Sequence, residues 1–339
     1  MINGDASVKT RLLSRLIALV GAGLVQISLP LPAQAAEHEP SIAELRAVYA
    51  APPSKFVMVD GVNLHVRDEG AGPVVVMLNG HMGNLHMYDA WAASLVGAGF
   101  RVVRFDWPPY GLSLPDPAGV YSTDRATQLL ADLLDQMKLA KVSLVGTSNG
   151  ATVVAHYASL HPDRVERIAV STLPLGKPGP RKSSDALITQ GALYGKADYK
   201  PESFWRAVLE DIFYDKNNVT PAMVKMYTDM NNYPGGYAAV NDYIAQNIAM
   251  YKADVQPALY AKLTSPMLIQ WGDGGTVLSP IDAEKGAAAF PNAKLMLIIH
   301  YPHSGHMPML EEPGATGKDL IAFLKGRSDA AALPPPRKY

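Results

Sequence analysis

With 339 residues, 48% of them hydrophobic and 18% charged, the chain has enough apolar material for one large globular domain or two small ones. A formal net charge of -1 excludes a polycationic nucleic-acid-binding surface. The absence of cysteine excludes thiol catalysis, cysteine metal sites and disulfides.

In chain order, Lys9, Arg11 and Arg15 precede an apolar stretch from Leu16 to about Leu29, and Pro30 to Pro32 lead into Ala33-Gln34-Ala35. A basic region, an apolar region and a small-residue cleavage site in that order read as a signal peptide over residues 1–35. Cleavage after Ala35 removes those three basic residues and Asp5, leaving a slightly acidic chain expected in the periplasm or secreted. The apolar run falls short of the ~20 residues of a membrane span and is broken by Gln26, so no stable membrane insertion is expected after cleavage.

Residues 36–54 read as a polar leader with a short helix, Ile42 to Tyr49. Lys55 to Val59 and Val62 to Val66 flank Asp60-Gly61, a two-residue hairpin signal. A strand–loop–helix rhythm then begins: strand Val74 to Leu78, helix Tyr88 to Val96, strand Arg101 to Phe105, and a helix from Asp124 to about Met137 capped by Thr123. Strand Lys141 to Val145, helix Ala151 to Leu160 and strand Val165 to Val170 complete the first part, residues 55–173.

Over residues 174–263 the rhythm changes. Gly176 to Ser184 is loop-like, helical fragments follow at Phe204 to Phe213, Pro221 to Tyr227 and Tyr237 to Tyr251, and no strand–helix unit can be placed; an inserted helical cap is expected. The core resumes over residues 264–326 with strand Pro266 to Trp271, a helix around Ile281 to Ala289, strand Lys294 to His300 and a helix from about Thr316 to Leu324. Residues 327–339 read as a disordered tail. The pattern is that of an α/β protein, a mostly parallel sheet flanked by helices. Ligands bind such sheets at the carboxyl ends of the strands.

Gly146-Thr147-Ser148-Asn149-Gly150 stands at one such end, where a strand turns sharply into a helix with a serine at the tip: a nucleophile elbow. A serine hydroxyl needs an adjacent base. His306, after the last strand, is the expected base, with His300 and His303 as rivals, and Gly305 is expected to permit the bend that delivers the ring. The oxyanion hole is expected from the backbone N–H groups of Asn149 and His81, the latter in Asn79-Gly80-His81-Met82-Gly83. Asp273, the only acidic residue in Gly272 to Val277, is the expected orienting carboxylate, with Asp211 and Asp282 as substitutes. Met82, Trp107, Tyr110, Trp205 and Met307 are expected in the substrate pocket, and Asp106 is expected to hold its own loop.

These residues resemble the α/β-hydrolase fold superfamily, over roughly residues 55 to 326. The likeness is to cap-bearing members such as esterases, prolyl aminopeptidases, epoxide hydrolases and haloalkane dehalogenases. The elbow fits in full, as do Gly305-His306 and Glu311-Glu312-Pro313. Asn79 stands where the superfamily usually has His, and Pro109 replaces the first glycine of the Asp-x-x-Gly-x-Gly-x-Ser loop. The usual acid position is Gly275, two residues beyond Asp273. The resemblance therefore leaves three arrangements open: Asp273 in a rearranged loop, a Ser–His dyad, or reduced or lost activity.

The expected function is a serine hydrolase that cleaves a carboxylic ester or related small acyl compound through a covalent acyl-enzyme, with no cofactor and no metal. Epoxide hydrolases and haloalkane dehalogenases of this fold carry Asp at the elbow, so Ser148 argues against both. The alternatives are a secreted binding protein on a degraded hydrolase scaffold, and an aminopeptidase in which Glu210 or Asp211 holds the substrate amine.

Overall fold

A computed structural model describes residues 39–174, 183–195, 197–247, 257–278 and 281–326. The signal peptide, the segment 175–182, the end of the helix expected to reach Tyr251 and the tail all lie outside the described residues.

Helix α1 (Ile42–Tyr49) opens with a capping box between Ser41 and Glu44. The hairpin β1 (Lys55–Val59) and β2 (Val62–Gly70) turns at Asp60 and Gly61, φ 42° and 80°, the two left-handed residues that a tight hairpin of this twist requires. Then follow β3 (Val74–Leu78), α2 (Asp89–Gly97), β4 (Arg101–Phe105), α3 (Thr123–Gln136), β5 (Val142–Thr147), α4 (Asn149–Leu160) and β6 (Val165–Ser171). The cap comprises α5 (Asp185–Tyr194), α6 (Glu202–Ile212), α7 (Pro221–Asn231), α8 (Gly236–Asn247) and α9 (Pro257–Tyr260). The core resumes with β7 (Met267–Gly272), α10 (Ile281–Ala288), β8 (Met296–Tyr301), α11 (Pro308–Glu311) and α12 (Pro313–Leu324).

The eight strands lie in the order β1-β2-β4-β3-β5-β6-β7-β8. β1 and β2 pair antiparallel, β2 pairs antiparallel with β4, and every other neighbour is parallel. Side chains alternate across a strand, which explains the unbroken apolar runs. Val76 and Leu78 of β3 join Val103 and Phe105 of β4 in one core, while Val75 and Met77 join Val102 in the other. The first core is closed by the α3 stripe Leu129, Leu130, Leu133 and Leu134. Ser122, rather than Thr123, caps that helix, its Oγ accepting the Arg125 N–H at 3.1 Å.

One helix of the cap differs from expectation. α5 was not legible as a helix, because its apolar residues form no buried stripe and none of its side chains is buried. α6, by contrast, buries six residues, from Phe204 to Ile212. Among the described residues no helix is long and apolar enough to cross a membrane.

Candidate active site

Ser148 stands between the end of β5 and the start of α4 at φ 51° and ψ -123°, a conformation that costs a residue with a Cβ of order 1–3 kcal/mol. Its carbonyl accepts the N–H groups of Ala151 and Thr152 at 2.8 and 3.2 Å, which fastens the elbow to the first turn of the helix. Gly146 and Gly150 are obligatory: a Cβ on the first would strike the backbone of Gly150 and Ala151, and one on the second the carbonyls of Leu78 and Asn79. Gly80 is close as well, its added Cβ falling 3.2 Å from Ser148 Cβ, so the loop after β3 lies directly against the nucleophile.

That loop is held from inside. Asn79 donates from Nδ2 to the carbonyls of Gly80 and Gly83 at 3.0 Å each, and Trp107 Nε1–H donates to Asn79 O at 2.9 Å. Asn79, in the position where the resemblance has His, thus works as a loop clamp. The His81 N–H meets no acceptor among the described residues, so it is available as a donor. Asn149 begins α4, where the helix dipole adds positive potential for a developing oxyanion. Its Nδ2 donates to Tyr243 OH at 2.7 Å, a cap contact the sequence did not disclose.

His306 is 7% exposed and is mounted by its backbone. Its N–H donates to Ile212 O at 2.8 Å, and its carbonyl accepts from Thr172 Oγ1 at 3.1 Å. The buried Glu311 carboxylate accepts the Gly305 and Tyr214 N–H groups at 2.7 Å each, joining the histidine loop to the residues just after α6. Burial pushes the Glu311 carboxyl above its usual range, against the opposing pull of those N–H groups. Gly305 is required for close approach: a Cβ there would meet Ile212 O and lie 2.7 Å from Tyr214 N. Its φ is not left-handed, so bending the chain is not its reason for being glycine.

Asp273 is placed differently from expectation. Its N–H donates to Tyr301 O at 3.0 Å, which turns its side chain onto the rival imidazole, and Oδ1 lies 2.6 Å from His300 Nδ1. His300 Nε2 faces Glu284 Oε1 at 3.3 Å, so that ring is held between two carboxylates. Asp211 is buried, and its Oδ1 accepts the Ser184 N–H at 2.6 Å at the start of α5. Asp282 lies on α10 beside Lys285 at 3.2 Å. Asp106 holds its loop as expected, accepting from Leu112 N–H at 2.8 Å and Leu85 N–H at 2.7 Å and contacting His65 Nδ1 at 2.8 Å.

Ser148 and His306 line one cavity of about 400 Å³ under the cap, together with Asn149, His81, Met82 and Met307. Its other walls are Pro174, Leu187, Phe204, Val208, Ile212, Tyr227, Val277 and Leu278, so no charged side chain lines it among the described residues. Ser148 Oγ makes no hydrogen bond to a protein group among the described residues. Of the expected pocket residues, Met82 and Met307 are in the wall, whereas Trp107, Tyr110 and Trp205 are fully buried behind it. Neither Glu210 nor Asp211 is among the described residues that line the cavity. Tyr227 and Ile212 were missed as wall residues, because helical spacing of apolar residues does not distinguish a cavity wall from packed core.

An epoxide hydrolase of Caballeronia sordidicola is 24% identical over 307 residues, covering 79% of this chain and 92% of its own. A 2-hydroxy-6-oxononadienedioate/2-hydroxy-6-oxononatrienedioate hydrolase of Cupriavidus pinatubonensis is 25% identical over 301 residues, covering 83% and 99%. The structure of a meta-cleavage product hydrolase from Pseudomonas fluorescens superposes with a TM-score of 0.68 at 18% identity, covering 80% of this chain and 97% of that one. A family model for the alpha/beta hydrolase fold matches residues 73–313, and the chain belongs to that family.

Proposed function

We propose that this protein is a serine hydrolase that cleaves small, uncharged carboxylic esters or related acyl compounds through an acyl-enzyme. The observation that carries the reading is the strained Ser148, φ 51°, facing an apolar cavity that it shares with His306 and the His81 loop. Ser148 Oγ attacks the carbonyl carbon while His306 takes its proton. The N–H groups of His81 and Asn149 stabilise the tetrahedral oxyanion. His306 returns the proton to the departing alcohol, and a water activated by the same ring releases the acid. Ser148 and His306 carry the bond-making and proton-transfer steps; Gly275 stands at the family's acid position, and Asp273 Oδ1 lies 2.6 Å from His300 Nδ1. The wall of apolar side chains supports an uncharged substrate.

The test is covalent labelling with a fluorophosphonate, followed by a chain-length series of 4-nitrophenyl esters. Ser148 is expected to label and to hydrolyse the esters, and H306A and S148A are expected to abolish both. Equal labelling of wild type and H306A would overturn the mechanism and favour a binding protein on the same scaffold, a reading that Gly275 also supports. The reading includes export to the periplasm or medium, on the order of basic, apolar and small residues in 1–35. A mature N-terminus at Ala36 in the exported fraction is the expected result.

A further inference from the structure

The mechanism uses the backbone of His81 and leaves its imidazole without a task. That ring is fixed on three sides: Nδ1 shares a hydrogen bond with Tyr110 OH at 2.7 Å, Tyr243 stacks on it at 5.6 Å and 30°, and Tyr110 meets it edge-on at 5.6 Å. Both phenol rings are themselves buried, and Trp107 packs against Tyr110 at 4.8 Å and Tyr243 at 5.8 Å. With Nδ1 committed to Tyr110, the opposite ring nitrogen, Nε2, has no hydrogen-bond partner among the described residues, and His81 lines the cavity that holds Ser148. Burial pushes the imidazole pKa down to about 4, so the ring is neutral at ordinary pH. A polar edge held rigid in an otherwise apolar wall costs free energy unless a ligand completes it.

We infer that the His81 imidazole is a subsite that hydrogen-bonds a second, uncharged oxygen of the substrate, a hydroxyl or keto group on the acyl portion close to the scissile carbonyl. The inference rests on the acyl-transfer reading above. If the carbonyl oxygen docks on the His81 N–H, the imidazole of the same residue reaches atoms only a few bonds from the carbonyl carbon. The alcohol must depart beside His306, which protonates it. The group retained near His81 is then the acyl group. A neutral ring favours a neutral partner, because it offers no charge to balance a carboxylate.

The experiment compares 4-nitrophenyl butyrate with 4-nitrophenyl 3-hydroxybutyrate, both enantiomers, on wild type, H81F and Y110F. Wild type is expected to prefer one hydroxyacyl enantiomer by about tenfold in kcat/KM, the scale of one neutral hydrogen bond. H81F is expected to bring that ratio close to one, whatever it does to both rates. Y110F, which leaves the His81 backbone untouched and frees only its ring, is expected to lower the ratio by about threefold. Dissociation constants of the same esters, measured by calorimetry on S148A and on S148A/H81F, read the subsite without turnover. No turnover but a His81-dependent binding preference would keep the subsite and sink the hydrolase reading. Turnover with the same ratio in wild type and H81F would sink the subsite alone.

Discussion

The His306 N–H donates to Ile212 O at 2.8 Å, so the expected catalytic base is mounted on the last residue of a cap helix as well as on the core. Thr172, at the end of β6, holds the other side of the same peptide unit. α6 and the base are therefore one mechanical unit.

Removing the Glu311 carboxylate should loosen that unit. It accepts two backbone N–H groups, one on each side of the junction, and a charged acceptor of this kind contributes about 1.5–3 kcal/mol per bond. E311A is expected to lower stability by about 3 kcal/mol and kcat by about tenfold or more, and E311Q to lose less of both. Urea titration and ester kinetics check this; a wild-type midpoint for E311A would remove the clamp from the account.

Gly275 offers the opposite experiment, a gain. A Cβ there would lie 3.4 Å from His306 N, Gly305 C and Gly272 O, an ordinary contact, and the backbone is not in the left-handed region. Aspartate should therefore fit. Because loss of the orienting carboxylate costs a triad enzyme ~10⁴-fold, partial restoration by G275D is expected to raise kcat by about tenfold, and only when His306 is intact. An unchanged or lower kcat in a folded G275D would mean that the imidazole is already oriented.

Asp273 should behave as a structural residue. D273N weakens a bond to His300 that is partly solvent-screened, so a loss of about 1 kcal/mol in stability is expected, with less than about threefold change in kcat. A fall of a hundredfold or more in ester turnover would return Asp273 to the catalytic set.

His81 predicts an acid-side weakness. Its pKa is about 4 in the folded chain against 6.5 ordinarily, so between those values the unfolded chain takes up a proton that the folded chain refuses. The stability contribution is fully present above pH 6.5 and is lost as pH falls towards 4, by of order 2–3 kcal/mol. Denaturation at pH 7 and pH 4.5 should show a smaller drop for H81F than for wild type.

Most of the frame was legible because local and long-range demands coincide. Val74 to Leu78 and Arg101 to Phe105 are apolar runs because both faces of β3 and β4 are covered, and the elbow glycines follow from backbone contacts that no side chain could survive. What escaped depended on tertiary placement. α5 buries nothing, so no stripe marked it. The partner of Asp273 was decided by a backbone bond to Tyr301 across the β7–β8 loops, which spacing alone cannot reveal. Trp107, Tyr110 and Trp205 have the composition of a pocket wall but lie one layer behind it, two of them supporting the wall, through Asn79 O and His81 Nδ1.

The difference in burial between α5 and α6 divides labour within the cap. α6 carries the mount of His306, whereas α5, which contributes Leu187 to the cavity, buries no side chain and is fastened at its start by Ser184 N–H to Asp211. With no buried side chain, α5 is the cheaper element to displace. Displacing α5 from that anchor would widen the way to Ser148 while leaving the His306 N–H bond to Ile212 O in place.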